Sequence, residues 1–322
     1  MHPLRLLSAA TAMEISAAAA ALAVAGLCGW RSGWLDVINS FAPIILAMAL
    51  IGAVLALVSL DRGATRGAVL ALAGLAGLYG LALILPELWG RWPGPAGEGA
   101  VFSVLSANVW HDNPSPDLAV AEIIARAPDA VLLQEADGSL AALLPRLTPL
   151  YPYSSACPGS GVRILVKSPI TARGCETGPR RGADLDLVWI RTTGPDGAPL
   201  TLATTHLAWP FPPRPYEAQR KALAAEMARL PSGEVILTGD FNTTPWTFAM
   251  RRQDAALRPL TRRTRAWFSW PARLDALRRP WSLPILPIDH IYTGRDWGLV
   301  GLTRVRIPGS DHFATEARLR RR

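Results

Sequence analysis

Lysine is nearly missing from this 322-residue chain: Lys167 and Lys221 are the only two, and arginine carries the rest of a formal net charge of +8. A guanidinium grips a phosphate through two parallel N–H donors, so the imbalance suits phosphorylated substrates, anionic lipid or nucleic acid. A genomic bias towards Ala, Pro and Arg would produce it too. Cysteine is scarce as well. Cys28, Cys157 and Cys175 show no paired metal-ligand spacing, which excludes a structural zinc site. Cys157 and Cys175 can pair if their part of the chain meets an oxidising compartment. No internal repeat is present, which excludes a repeat array, and there is no low-complexity tail beyond Arg320-Arg321-Arg322.

Charge is absent over two long stretches, from Val37 to Leu60 and from Gly67 to Pro86. Each reaches the roughly 20 residues needed to cross the hydrocarbon of a bilayer. A third run, Leu6 to Trp30, is Ala-rich and broken only by Glu14. Three membrane helices are expected; if the first run were a cleaved signal peptide, two anchors would remain. Arg5, Arg62 and Arg66 flank one side of the spans, against Arg31 and Arg91 on the other. That majority places the N-terminus in the cytoplasm and the C-terminal part outside it.

Residues 91–100 are rich in Pro and Gly and cannot continue a helix, so they read as a linker between an anchor of residues 1–90 and a domain of residues 101–322. Within that domain short apolar runs alternate with amphipathic segments. Strands are predicted near 101–109, 130–134, 162–167, 186–192, 199–206, 235–240, 286–292, 302–307 and 313–319. Helices are predicted near 116–127, 138–146 and 214–230, the last burying Leu223, Met227 and Leu230 at helical spacing. The stretch after Asn242 reads as irregular. Consecutive strands imply antiparallel pairing, and helices at several places imply covered outer faces. The fold class is therefore α/β: a four-layer α/β sandwich of two packed mixed or antiparallel sheets flanked by helices, preceded by three transmembrane helices.

Six apolar runs carry polar groups at an end. They are Ser106-Ala107-Asn108, Leu133-Gln134-Glu135, Thr204-Thr205-His206, Leu237-Thr238-Gly239-Asp240-Phe241-Asn242, Ile288-Asp289-His290 and Ser310-Asp311-His312. Packing needs no such endings, whereas a catalytic rim does. Phosphate-ester hydrolysis suits the residue types, because a phosphorus shielded by negative oxygens needs a hard cation and several donors. Glu135 is the candidate to hold the cation, with Asn108 completing the shell or holding a water. Asp240 is placed to orient and deprotonate a water, and Asn242, two residues on along an extended strand end, to donate to a non-bridging oxygen. His206 and His312 supply protonated donors, and Asp311 reaches the metal or nearby backbone. The plainer reading of each acid or amide is a turn residue.

In this order and rough spacing the six segments resemble the endonuclease/exonuclease/phosphatase superfamily over about residues 101–319. The resemblance implies the four-layer sandwich and hydrolysis of phosphate esters with a divalent cation, usually Mg²⁺, with Mn²⁺ as an alternative. It also implies that Asp289 orients and charges His312, that Asp240 activates water and that Asn242 binds phosphate. His206 resembles sphingomyelinase-like, deoxyribonuclease I-like and lipid phosphatase members more than abasic-site nucleases, and the Asn108-Val109-Trp110 start resembles the sphingomyelinase-like side. His111 and His290 match no family role and read as structural or peripheral. Three spans ahead of such a domain resemble the membrane phosphatases linked to teicoplanin resistance, thought to act on undecaprenyl pyrophosphate.

Trp246, Trp267, Trp270 and Trp281, mixed with Arg251, Arg252, Arg262, Arg263 and Arg265, suit a lipid headgroup layer, single-stranded nucleic acid or, equally, a packed core with a solvated basic face. The expected activity is a Mg²⁺-dependent phosphatase at the extracytoplasmic membrane surface, with a phosphorylated lipid as substrate. A membrane-tethered nuclease, a sphingomyelinase-like phosphodiesterase and a catalytically silent membrane interaction module are the rivals. Nucleic acid is the weaker partner.

Overall fold

The computed structural model describes residues 3–90, 97–176, 184–274, 279–280 and 283–322. Residues 91–96 of the expected linker, and Trp281, lie outside the described residues. The chain forms two compact units, one of Met1–Gly90 with Pro245–Arg251, the other of Arg91–Thr244 with Arg252–Arg322.

The first unit is built on α1 (Pro3–Cys28), the short α2 (Gly33–Asp36), α3 (Ala42–Ser59) and α4 (Ala64–Trp89). Leu4–Cys28, Gly33–Ser59 and Ala64–Trp89 are long and apolar enough to cross a membrane. Their packing is inverted relative to a water-soluble bundle. Ala19, Ala23, Ala49 and Ala76 are buried where the helices meet, while Leu50, Val54, Val58 and Leu78 point outward. Small residues let helix backbones approach, and large apolar groups on the outside suit contact with lipid tails. The Asp36 carboxylate accepts the backbone N–H groups of Phe248 and Ala249, at 2.8 and 2.7 Å.

In the second unit, period-2 alternation builds two six-stranded sheets. The first runs in the order β13 (Trp297–Arg306), β14 (Phe313–Arg321), β1 (Val101–Asn108), β2 (Ala130–Gln134), β4 (Arg163–Val166), β3 (Tyr153–Ala156). The second runs β5 (Ala172–Glu176), β6 (Asp186–Thr193), β7 (Pro199–His206), β8 (Val235–Asp240), β12 (Asp289–Thr293), β9 (Thr261–Arg262). A small hairpin, β10 (Arg273–Leu274) with β11 (Arg279–Pro280), stands apart. Val104, Leu132 and Ile164 of the first sheet meet Val188, Leu202 and Ile236 of the second in the central core. Their sequence neighbours Leu105, Leu133 and Leu165 face the other way, against Val120 and Ile123 of α5 (Pro116–Arg126) and the Leu144 and Leu147 side chains. Each such side chain contributes roughly 1.5–3 kcal/mol by leaving water. Helix α6 (Pro213–Met227) buries Tyr216, Leu223 and Met227. The result is two mixed sheets flanked by helices.

Departures from the sequence reading are local. The helix expected near 138–146 is a 3₁₀ segment, Ala141–Leu147, with Pro145 inside it, where an α-helix would lack a donor. Leu230 lies past the end of α6 and is only half-buried. The stretch after Asn242 contains α7 (Phe248–Ala256) and β9. Two of the six polar endings are beginnings: Asp289 opens β12, and His312 immediately precedes β14. Antiparallel pairing explains why they still count, since the start of such a strand shares an edge with the end of its neighbour.

That edge is the functional one. The parallel pairs, β1 with β2 and β7 with β8, aim their carboxyl ends the same way, putting Asn108 beside Gln134 and His206 beside Asp240. Across the second sheet the register aligns Asp186, His206, Asp240 and Asp289 on four adjacent strands. Gly239, with φ +157, fits only because it lacks a Cβ, which would run into the Thr205 carbonyl oxygen. Gly239→Ala should therefore displace Asp240 and lower both the melting temperature and phosphate release. Wild-type values for both would contradict the close approach.

Candidate active site

Asp240 is 1% exposed at the end of β8. Its Oδ2 accepts the Asn108 side-chain N–H at 3.1 Å and lies 3.7 Å from His206 Nε2 and 3.6 Å from His312 Nε2. His312 is in turn fixed through Nδ1, 2.9 Å from Asp289 Oδ2. Burial and the neighbouring Asp289 charge push the Asp240 carboxyl up to about 6, partly offset by the two histidines. Burial also works against a charged His312, but the Asp289 and Asp240 carboxylates outweigh it and raise His312 to about 10. At neutral pH the site thus holds an ionised acid against an imidazolium.

Glu135 follows β2 with a left-handed φ of 56°, and Trp110 and Asn242 are left-handed too, at 60° and 50°. Three non-glycine residues in this sparsely populated region around one pocket mark backbone held against its preference. Glu135 Oε1 accepts from Asn108 Nδ2 and Oε2 from the His111 backbone N–H, both at 2.8 Å. Asn108 thus bridges the Glu135 and Asp240 carboxylates with its NH₂, while its oxygen accepts the Trp110 N–H at 2.9 Å.

Asn242 is not on an extended strand. The chain turns there, its N–H returning to Asp240 Oδ1 at 2.8 Å in an Asx-type loop. Its side-chain amide donates to Leu207 O at 2.8 Å and lies 3.3 Å from His206 Nε2. Asp311 Oδ2 accepts the Trp270 indole N–H at 3.1 Å, and no donor among the described residues reaches the buried Asp311 Oδ1. Burial raises the Asp311 carboxyl, and nearby Glu135 adds to the rise. All eight expected site residues therefore gather at one edge. His290 stands apart, wholly buried beside Thr243 O and Thr264 Oγ1; burial lowers it to about 3, so it is neutral. His111 is exposed, and its ring lies 3.3 Å from Asp137.

A divalent cation fits this donor set. An orphaned carboxylate oxygen on Asp311, facing a pocket that also holds Glu135 and Asp240, supplies hard oxygen ligands. Asp240, Asp289 and His312 also bring ligand atoms within 4.8 Å of one another and could hold an ion. With Nδ1 committed to Asp289 and the ring protonated, His312 is the poorer ligand, so Glu135 with Asp311 is the better seat.

Two acids of the pocket were not foreseen, Asp184 and Asp186. Asp186 Oδ1 accepts the Ser160 hydroxyl and Oδ2 the Gly161 N–H at 3.3 Å. Gly161 O then accepts the N–H of Ala136, beside Glu135, at 2.8 Å. Asp186 so ties the loop that fixes Glu135 and faces His206 across the strands. A signal existed: Pro195-Asp196-Gly197 marks a tight hairpin turn, and pairing outward from it sets residue 186 opposite 206. Asp186→Asn should weaken cation activation by about 10- to 100-fold with the fold intact, read from the cation dependence of the rate. An unchanged cation titration would remove Asp186 from this role.

Much of the expected Trp/Arg lipid-facing run is internal instead. Trp246 is buried, Trp267 donates to Thr315 Oγ1, and Arg262 is sealed against Asp254. Arg263 bonds Thr293 and Trp297 O. Cys157 and Cys175 form a disulfide, with Cα atoms 5.7 Å apart.

No curated protein matches the chain. Among solved structures, D. rerio TDP2 with a single-strand DNA product is similar at a TM-score of 0.57 and 16% identity, over 69% of this chain and 99% of that one. The human Nocturnin catalytic domain with bound sulfate gives 0.53 and 17%, over 74% and 99%. A mannosyl-6-phosphatase of Bacteroides thetaiotaomicron gives 0.51 and 19%, over 68% and 99%. These share the fold. The sequence itself matches the Endonuclease/Exonuclease/phosphatase family over residues 105–312, a span holding every site residue above, and the chain belongs to that family.

Proposed function

We propose that the protein is a Mg²⁺-dependent phosphohydrolase that removes phosphate from a phosphorylated or pyrophosphorylated lipid at the extracytoplasmic membrane surface. The observation that carries it is the Asp240–His312–Asp289 chain meeting Glu135, Asn108 and His206 in one pocket of a chain with three membrane-length helices. Family members hydrolyse phosphoesters, typically with a divalent cation, and include phosphatases, nucleases and phosphodiesterases. The Cys157–Cys175 disulfide and the arginine distribution of the loops support the extracytoplasmic side.

Bound by Glu135 and Asp311, the cation would neutralise charge on the phosphate oxygens. Asp240 takes the proton of the attacking water, its raised pKa keeping it basic yet ionised at pH 7. His312, held protonated by Asp289, donates to a phosphoryl oxygen, and His206 Nε2 offers a second donor across the pocket. Asn242 holds the Leu207 backbone, and with it His206, in place.

The test is phosphate release from undecaprenyl pyrophosphate in vesicles, with Mg²⁺ or chelator, beside sphingomyelin and single-stranded DNA, using Asp240→Asn as the control. Mg²⁺-dependent release from the pyrophosphate lipid is expected. Strand cleavage or phosphocholine release without it would replace this reading by the nuclease or the phosphodiesterase. Inactivity on every substrate would leave the silent interaction module.

A further inference from the structure

The mouth of the pocket carries an apolar rim that catalysis does not use. Trp209 is 62% exposed, Phe211 58%, Leu283 69% and Ile285 45%. Trp209 lines the pocket itself, Phe211 follows two residues on, and Leu283 and Ile285 lie on the segment that leads into the pocket residue Ile288; Leu118, Ile124 and Tyr153, the other exposed large apolar side chains among the described residues of this unit, belong to other elements. The rim comes from two segments joined at the pocket. Trp209 and Trp270, both lining it, meet edge to face with ring centroids 6.4 Å apart. The Ile285 N–H donates to Trp270 O at 2.8 Å. Arginines flank both segments: Arg214 is exposed three residues after Phe211, and Arg273 lies 5.7 Å over the Trp110 ring. Water disfavours such clustering of large apolar groups around a polar cleft.

We propose that this rim, Trp209, Phe211, Leu283 and Ile285 with Arg214 and Arg273, is a docking surface for the interface of an anionic bilayer. Tryptophan and phenylalanine settle at the headgroup boundary, leucine and isoleucine reach the upper acyl region, and guanidinium groups meet lipid phosphates. The chain's own three spans keep a bilayer within reach. Seated there, the rim brings the pocket mouth down onto headgroups, so that a lipid phosphate enters without leaving the membrane. The proposal rests on the lipid-phosphate reading for its consequence, though not for the docking itself.

Two measurements on the full chain, reconstituted in phosphatidylglycerol/phosphatidylethanolamine vesicles, separate these. In the first, Ile285→Cys on a Cys28→Ser background carries a bimane label, and Lys221→Cys is the solvent-exposed reference. Spin-labelled lipid should quench the label at 285 at least about twofold more than the label at 221. Equal quenching overturns the proposal, as does a label shielded from both lipid and aqueous quenchers, which would mean that a second copy covers the rim. In the second, the triple variant Phe211→Ser, Leu283→Ser, Ile285→Ser should lose about tenfold in hydrolysis of embedded undecaprenyl pyrophosphate, yet keep its rate on water-soluble geranyl pyrophosphate. Equal rates of variant and wild type on the embedded substrate overturn the proposed role, and so does a parallel loss on both substrates. If wild type hydrolyses neither pyrophosphate while position 285 is still quenched, the lipid-phosphate reading fails and the docking surface stands.

Discussion

Asp240→Asn should lower phosphate release on the order of 10⁴-fold, the upper range for removing a general base. The loss should come without unfolding. An asparagine Oδ1 at this site still accepts the Asn242 N–H; its NH₂ loses the bond from Asn108 Nδ2, a cost offset by relief of the burial that penalises the carboxylate. The pH profile adds a signature. Wild-type activity should rise through pH about 6, as Asp240 loses its proton, and fall as pH approaches about 10, where His312 loses its own. Because the folded His312 value lies above the ordinary 6.5, the stability it contributes is complete below pH 6.5 and lost as pH rises through about 10. Asp240→Asn removes one of the three carboxylates, Asp289, Asp240 and Asp311, that raise it, so this loss should begin at lower pH. A rate within tenfold of wild type, or an unaltered acid limb in the residual activity, would take the base role from Asp240.

Chelation should abolish turnover, by about 10³-fold or more, and added Mg²⁺ should restore it, because several kcal/mol of charge stabilisation at the phosphate go with the cation. Glu135→Gln should reproduce much of that loss. Both Glu135 oxygens accept donors, from Asn108 Nδ2 and the His111 N–H, so a glutamine must turn its NH₂ against one of them as well as surrender the charge. Its rate should recover in part at far higher Mg²⁺. Titrating the rate against Mg²⁺ for both proteins reads this directly, and a chelator-insensitive wild type would dismiss the metal seat altogether.

How far each feature was legible depends on whether it is written in local pattern. Short apolar runs such as Val101–Asn108 and Val235–Asp240 announce strands, because a strand covered on both faces is apolar at successive positions. β3 (Tyr153-Ser154-Ser155-Ala156) and β5 (Ala172-Arg173-Gly174-Cys175-Glu176) lack an apolar run, β9 has only two residues, and α7 lies in a stretch rich in charge that its sequence pattern does not resolve. Asp186 was missed because an acid at a strand start resembles any turn residue until its partner strand is known. The choice between a lipid-facing and a packed reading of Trp246 and Arg262 fell to the packed one only in three dimensions, since burial depends on which distant element covers them.

By itself the sequence determined the three long apolar helices, the α/β sandwich and the polar groups at strand ends, since all of these follow from hydropathy period and residue chemistry within short windows. Only the tertiary structure decided which of those groups meet. The parallel pairs β1–β2 and β7–β8 and the antiparallel return of β12 set Asp240 between His206 and Asp289, and the left-handed turns at Glu135 and Asn242 aim the carboxylates. Pairing register is a property of contacts between separate strands, and Asn108 and Asp240, which come from different sheets, meet across 132 positions, so no local pattern encodes them.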